Sequence, residues 1–593
     1  MAPAASRPDP AGPALFRPDP VLAVGIVGED CDPGFVAELA PVLATLSEAC
    51  GRIVARDAEF FSGARPRIRL VVRAGSAEVE RGLAEILLPI GGELGLIGAG
   101  EPRPTDEGAR VLWLPGPAGD PDVAAERADA LLDQSDLLLA SWDGQPDARP
   151  GSAGAILQEA VERRLPVLLR RAGGPVQVVD DPAERLLPAL AARLPRVGLA
   201  DNLEAVLARA FAPPSGPEER QALRDCLAEP GRVGSRRPEY PAFLLLAARP
   251  RPSGEDVPGL GPAEEWARAE QIAGGISPEA ASGVAGQARR HARMEQLAAF
   301  YGRRARSGTV LRYSGPAFGA LMIAVLAIVA PQMSLGWLGV QAVVMTLTIT
   351  EAAFATRGRW SERWLDYRSL GERLRCDRFL LPLGIGLGRL EVEGESADPA
   401  WMRWCHRRLR RAEVPAGVVS DEVVRQAFRH LAEVEIAGQI RYHESAALRF
   451  RSLSRRLRQI AAGSVLCIAG ASLALFGQGL LGAGAPGIEA VLLALLITLP
   501  SVFLAARGLR LEGAFDLAAA RSEQTLAALR RLRDRMGAGP LSYGRLVQAS
   551  RAAAGAMVLE TGDWRIGVQR SRTPYRASPP TAPAEAPRGA SRP

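Results

Sequence analysis

The sequence predicts an α/β domain with a parallel sheet, followed by an all-α membrane region with four transmembrane helices in two hairpins. Three observations predict it. Between residues 21 and 195, short apolar runs alternate with helix-like stretches. Farther on, four strongly apolar segments, each about 20 residues long, come in two closely spaced pairs, long enough as helices to cross roughly 30 Å of hydrocarbon. Arginines flank the outer ends of each pair and are missing from the short loops inside them. At 593 residues the chain is also too long for one core.

The apolar runs are VLAVGIVG (Val21–Gly28), RIRLVVRAG (Arg67–Gly75), LGLIGAG (Leu94–Gly100), ARVLWLPG (Ala109–Gly116), DLLLASWDG (Asp136–Gly144) and PVLLRR (Pro166–Arg171). PGFVAELAPVLATLSEA and GSAGAILQEAVERR lie between them, apolar at helical spacing. Strands that are apolar throughout, alternating with helices, predict a parallel sheet covered on both faces. Ligands of such sheets bind past the carboxyl ends of the strands, against glycine turns and helix N-termini. Three turns qualify: Gly25 to Gly28, Gly75-Ser76, and Asp143-Gly144 leading to Gly151-Ser152. They are the candidate ligand-binding residues, and a nucleotide-like anion is the ligand they suit. No other cofactor is expected.

The spans are Val310–Ala330 and Gly336–Thr356, then Gln459–Leu481 and Ile488–Ala506. Arg303, Arg304, Arg306 and Arg312 precede the first, and Arg357, Arg359 and Arg363 follow the second. Arg451, Arg455, Arg456 and Arg458 precede the third, and Arg507 and Arg510 follow the fourth. By the positive-inside rule both pairs enter from and return to the cytoplasm, with both termini inside. Gly315 and Gly319 in the first span, and Gly463, Gly470 and Gly477 in the third, form small-residue faces for helix packing within a chain or between copies. Gln341, Met345 and Thr348 share one face of the second span, with Glu351 three residues on. They either line a polar path or, for Glu351, reach the interface. Pro500 is expected to kink the fourth span.

The net charge of +6 comes entirely from arginine, since the chain has no lysine. The arginine-rich segments 289–312, 403–411 and 451–458 border spans or amphipathic helices, so lipid headgroups rather than nucleic acid are the expected partner. The six cysteines form no CxxC pair and the four histidines no ligand spacing, which argues against a structural metal site and suits a reducing compartment. Residues 1–20 are proline-rich without an apolar signal core, so neither a secretory signal nor order is expected there. The predicted division is 21–200 for the α/β domain, 201–308 for a mainly helical connector, 309–380 and 457–540 for the two membrane modules, 381–456 for a cytoplasmic helical segment, and 541–593 for a largely flexible tail.

The segment DLLLASWDGQPDARPGSAGAILQEAVERRLPVLL resembles the last βαβ unit of the SLOG superfamily of Rossmann-like nucleotide-binding domains, and VGIVGEDCDPG and LVVRAGSAEVERGLAEI resemble its first two turns. RWSERWLDYRSLGERLRCDRFL, WMRWCHRRLRRAEVP and IAGQIRYHESAALRFRSLSRRL are similar to cytoplasmic segments of SLATT-type two-transmembrane effector modules of bacterial conflict systems. The resemblance implies a Rossmann-like sensor of a nucleotide-derived signal joined to a homo-oligomeric effector that perturbs the inner membrane in antiviral defence. Departures accompany it. Glu29-Asp30 stands where relatives often carry His-Arg, and Gln158 stands where nucleotide-processing relatives carry a catalytic Glu, with Glu159 one residue out of register. A Gln cannot act as a carboxylate base, so enzyme activity is not expected. A hydrolase and a ligand-free scaffold are the alternatives.

Overall fold

The computed structural model describes residues 16–28, 33–63, 65–104, 108–142, 147, 149–170, 176–179, 196–231, 237–247, 261–329, 332, 334–388, 398–413, 415–481 and 485–572. The chain folds into an N-terminal mixed, mostly parallel α/β sheet and a large helical region with four helices long and apolar enough to cross a membrane. The strands are β1 (Val21–Gly28), β2 (Arg67–Arg73), β3 (Glu93–Ala99), β4 (Arg110–Leu114), β5 (Leu137–Ser141), β6 (Val167–Arg170), β7 (Gln177–Val179), β8 (Arg196–Gly198) and β9 (Gly417–Val418). Their order is β8-β7-β6-β5-β1-β2-β3-β4-β9, with β7 antiparallel to both of its neighbours and every other pairing parallel.

The helices of this half are α1 (Pro33–Arg56), α2 (Ala77–Leu87), α3 (Pro121–Gln134), α4 (Ala153–Glu162), α5 (Leu199–Ala210) and α6 (Pro217–Ala228). Alternation along β1 explains the layers. Leu22, Val24 and Ile26 enter one core with Leu39 and Leu43 of α1, while Ala23 and Val27 enter the other with Leu131 of α3 and Ile156 of α4. A strand buried on both faces has no polar side to alternate with, which is why these runs read as continuously apolar.

Beyond them lie α7 (Glu239–Ala247), α8 (Pro262–Gly274), α9 (Pro278–Val329), α10 (Ser334–Arg357), α11 (Trp360–Leu380), α12 (Ala400–Ala412), α13 (Asp421–His430), α14 (Ala437–Leu481), α15 (Pro486–Glu512), α16 (Phe515–Met536) and α17 (Tyr543–Arg572). The helical half repeats one pattern. A long helix (α9, α14) packs against a span-length helix (α10, α15) and against the helix that returns from it (α11, α16). Each return turns on the same device. A glycine (Gly358, Gly513) precedes a non-glycine residue at positive φ (Arg359 at 48°, Ala514 at 47°), and an aromatic opens the next helix. A Cβ on either glycine would collide with that aromatic, Trp360 or Phe515. The span segments of the four long helices expose many large apolar side chains: Leu335, Leu466 and Leu473 are 84%, 72% and 71% accessible. Such a belt is stable in hydrocarbon and would aggregate in water.

The halves are not joined by a loose connector. β9, from the segment between the span pairs, extends the sheet beside β4, where Val419 N–H donates to Trp113 O. Both sheet cores continue into the helical region, one through Trp266, Phe379 and Leu380, the other through Leu297, Leu370 and Trp401. A helix also occupies 543–572, where composition predicts a flexible tail, and it buries Leu546, Ala553, Ala554 and Met557. Pro500 lies inside the uninterrupted helix α15.

Candidate functional site

The strand order places β5 and β2 on opposite sides of β1, so the connections diverge there, at the switch point where such sheets hold a ligand crevice past the carboxyl ends of their strands. Gly28 and Ser141 are in register at that edge. Two of the three sequence-selected turns meet there. Arg73, the last residue of β2, donates from Nη1 to Gly151 O at 2.5 Å and so ties the Gly75-Ser76 turn to the Gly151-Ser152 turn. Gly151 has φ +77°, and a Cβ on it would lie 2.8 Å from Ala124 O, so only glycine lets the loop pass α3 this closely. Ser152 caps α4, accepting from Ala155 N at 3.2 Å and donating to Asp147 O at 2.8 Å. Ser76 caps α2 through Val79 N.

Gly25 is elsewhere. It lies in the middle of β1, paired with Val71 and Leu138, and a Cβ on it would press on the Ser135 hydroxyl. Its work is core packing. Asp143 and Gly144, with Glu29 and Asp30, lie outside the described residues.

The electrostatics separate the two turns. Gly75 N–H already donates to Glu80 Oε1 at 2.9 Å, and Arg103 holds the same carboxylate at 2.6 Å. That nest carries its own anion. The neighbouring ends of β2 and β3 are cationic. Arg127 of α3 donates to Ala74 O at 2.8 Å and Ile97 O at 3.2 Å, and meets no carboxylate among the described residues. Burial lowers its pKa to about 10, and Arg73 beside it pushes the same way. Two guanidiniums that repel each other and bond to carbonyls are stabilised by an added anion. Arg170, the last residue of β6, reaches Glu38 at 2.5 Å across Phe35. The sequence reading passed over Arg73, Arg127 and Arg170. Arginine ending an otherwise apolar strand was the available signal for two of them; Arg127 gave none. Gln158 bonds Glu162 and Glu159 bonds Arg163, both along α4.

At the opposite, amino edge of the strands the segment WMRWCHRRLRR plays a part quite unlike the expected headgroup contact. As α12 it lies against the sheet, and Arg408, Arg410 and Arg411 are all buried. Arg408 and Arg411 both pair with the fully buried Asp136, which also accepts from Ala23 N at 3.0 Å. Arg408 donates to Val21 O at 2.6 Å and Arg411 to Ser135 O at 2.8 Å, satisfying the starts of two strands. Burial pushes the Asp136 pKa up, and the arginines reverse this and hold it below the usual carboxylate range. Nearby, Asp133 of α3 pairs with Arg551 of α17 and Arg163, and accepts from Gly386 N at 2.5 Å.

In the helical half the polar stripe of α10 fits the small-residue stripe of α9. A Cβ on Gly319 would meet Gln341, one on Gly315 would meet Thr348 at 2.8 Å, and one on Gly308 would meet Glu351 at 3.4 Å. Glu351 is further paired with Arg237 at 2.8 and 3.1 Å. Within one chain these side chains therefore sit in a helix–helix contact. Gly463, Gly470 and Gly477 have nothing within 4 Å of an added Cβ, so their face is open.

Comparison with known proteins adds no relative: no family model, curated protein or solved structure matches this chain.

Proposed function

We infer that the protein is a membrane receptor whose α/β domain binds a nucleotide-derived anion in the crevice beyond β1 and β5, and whose spans carry the response. One observation carries the reading: Arg127, which meets no carboxylate among the described residues, binds the carbonyls at the ends of β2 and β3 beside Arg73, whose guanidinium holds the Gly151 turn. The resemblance to SLOG and SLATT modules supports the remaining parts, namely an inner-membrane location, both termini in the cytoplasm, a homo-oligomeric assembly and a role in antiviral defence by perturbing the bilayer. A signal reaching the crevice would pass along α3, which carries Arg127 on one side and is clasped at its far end by Arg551. Calorimetry of the full chain with a panel of mono-, di- and cyclic nucleotides tests the reading. Arg127→Gln is expected to weaken binding by about ten- to hundredfold, the usual scale for a charge-assisted hydrogen bond. If no nucleotide binds the native chain, the receptor reading fails. The second reading, a scaffold without a ligand, is favoured by Glu80, which already fills the Gly75 turn.

A further inference from the structure

A cavity of about 200 Å³ lies away from the strand ends, among α7, α9, α11, α14, α15, α16 and α17. Its level in the fold is set by its walls. Val310 opens the first apolar segment, Leu453 precedes the third, and Leu509 follows the fourth. The cavity therefore sits where the apolar belt meets the arginine-rich ends of the helices.

Its lining is divided. One wall is apolar and aromatic, built by Phe243 and Leu244 of α7 with Phe450 and Phe515. The other carries Arg306 and Arg449. The Arg306 guanidinium is held between the rings of Tyr240 and Trp364, at 5.0 and 4.9 Å, and only its Nε is used, on Gly302 O at 3.0 Å. Arg449 lies 5.7 Å from the Phe450 ring. Neither arginine meets a carboxylate among the described residues. Two acids also line the cavity. Glu512 accepts from Arg312 and Thr309, and Glu560, whose pKa burial raises, faces the field of Arg368 and Arg521, which pull it the other way. Ring faces fix a guanidinium plane and leave its terminal nitrogens in place for a planar or tetrahedral oxyanion. The short helix α7 closes the space; Tyr240 N–H donates to Ser307 Oγ at 3.3 Å and Leu245, on its outer side, is 81% exposed.

We propose that this cavity is a binding site for an anionic phospholipid, with the phosphate on Arg306 and Arg449 and the first part of an acyl chain against Phe243, Leu244, Phe450 and Phe515. A phospholipid is the occupant that matches all three observations: an apolar aromatic wall at the edge of the belt, two guanidiniums that meet no carboxylate among the described residues, and the short helix α7, which lines the space and exposes Leu245. Basic pockets between spans take lipid headgroups through the same forces. This site is independent of the crevice and of what the crevice binds.

The test uses the full chain in nanodiscs of mixed phosphatidylcholine and phosphatidylglycerol, released in the gas phase so that retained lipids are counted by native mass spectrometry. The native chain is expected to retain phosphatidylglycerol beyond its share of the disc. Arg306→Gln with Arg449→Gln is expected to cut that enrichment roughly ten- to thirtyfold. Arg449→Gln alone, at a half-buried position, keeps the test alive if the double variant does not fold, and should give an intermediate loss. Arg455→Gln, an exposed arginine at the same level but outside the cavity, is expected to change nothing. Equal retention of the two lipids, an equal loss in Arg455→Gln, or displacement of the lipid by inorganic phosphate would each overturn the proposal.

Discussion

Asp136 is the residue on which the junction of the two halves depends. It has no exposure, and it pairs with both Arg408 and Arg411 while accepting from β1. Removing one partner of a buried pair leaves the other charge uncompensated, typically at a cost of about 3–5 kcal/mol. Asp136→Ala is expected to lower the thermal transition sharply, and unchanged melting would show that α12 docks by packing alone. Two other carboxylates give the stability opposite pH dependences. Burial raises the Asp133 pKa, but Arg551 and Arg163 prevail and bring it from 3.8 to about 2. Its contribution is complete above pH 4 and is lost as the pH falls towards 2. Glu126 of α3 moves the other way, from 4.5 to about 7, because burial outweighs the Gly544 N–H it accepts and Asp122 adds repulsion. The folded chain holds that proton more tightly than the unfolded one, so stability declines as pH rises from about 4.5 to 7. Glu126→Gln should therefore be more stable than the native chain at pH 8 and no different at pH 4, measured as the shift in melting temperature. A constant difference across that range would assign the effect elsewhere.

Among the elements, the two glycine faces have different tasks although their sequences look alike. Gly315 and Gly319 are consumed inside the chain by Thr348 and Gln341, whereas Gly463, Gly470 and Gly477 meet nothing. Gly319→Leu is expected to part α9 from α10 and to lower the stability of the isolated chain. Gly470→Leu should leave that stability intact and shift the oligomer towards smaller species in detergent, because lipid cannot replace close helix packing. Mass measurement by light scattering distinguishes the two, and an unchanged oligomer in Gly470→Leu would remove that face from assembly. The orientation of the spans also needs introduced probes. Cys376 and Cys405 are fully buried and cannot report on sidedness, while Cys467 is exposed on the apolar belt. In a chain with Cys467→Ser, Gln332→Cys should react with an impermeant maleimide added outside intact cells, and Ser445→Cys should react only after lysis. The reverse pattern would invert the topology.

For the whole molecule, the arrangement resembles a lever more than two beads on a string. α3 bears Arg127 at the carboxyl ends of β2 and β3, Asp133 where Arg551 and Gly386 hold it, and Gln134, which donates to Gly384 O at 3.1 Å. Arg551 belongs to α17, which packs on both α11 and α16, the helices returning from the spans. Arg551→Ala is expected to leave nucleotide affinity within about threefold while suppressing membrane depolarisation on overexpression. Affinity and depolarisation falling together would show a folding defect rather than a broken connection, and circular dichroism on the same sample would identify it.

The strands from β1 to β6 and the four long helices were legible in the sequence because each carries its own signal. A doubly buried strand must be apolar at every position, and a helix in lipid must be apolar around its whole surface for about 20 residues. Gly28, Gly75, Ser76, Gly151 and Ser152 could be placed at strand ends and helix starts for the same local reason. What joins them could not. β9 is two residues long, and its strand character comes only from pairing with β4. The arginines of α12 have the composition of a solvated, headgroup-facing helix, and it is the Asp136 carboxylate, more than 270 positions away in the chain, that makes burying them tolerable. Gly25 looks like a turn glycine until Ser135 is brought against it. Periodicity and composition report what a segment does with solvent, so the sequence by itself determined the layers and the membrane-length helices. Which charge neutralises which, and which small residue yields to which neighbour, are pairwise facts between distant segments, and only the tertiary structure decided them.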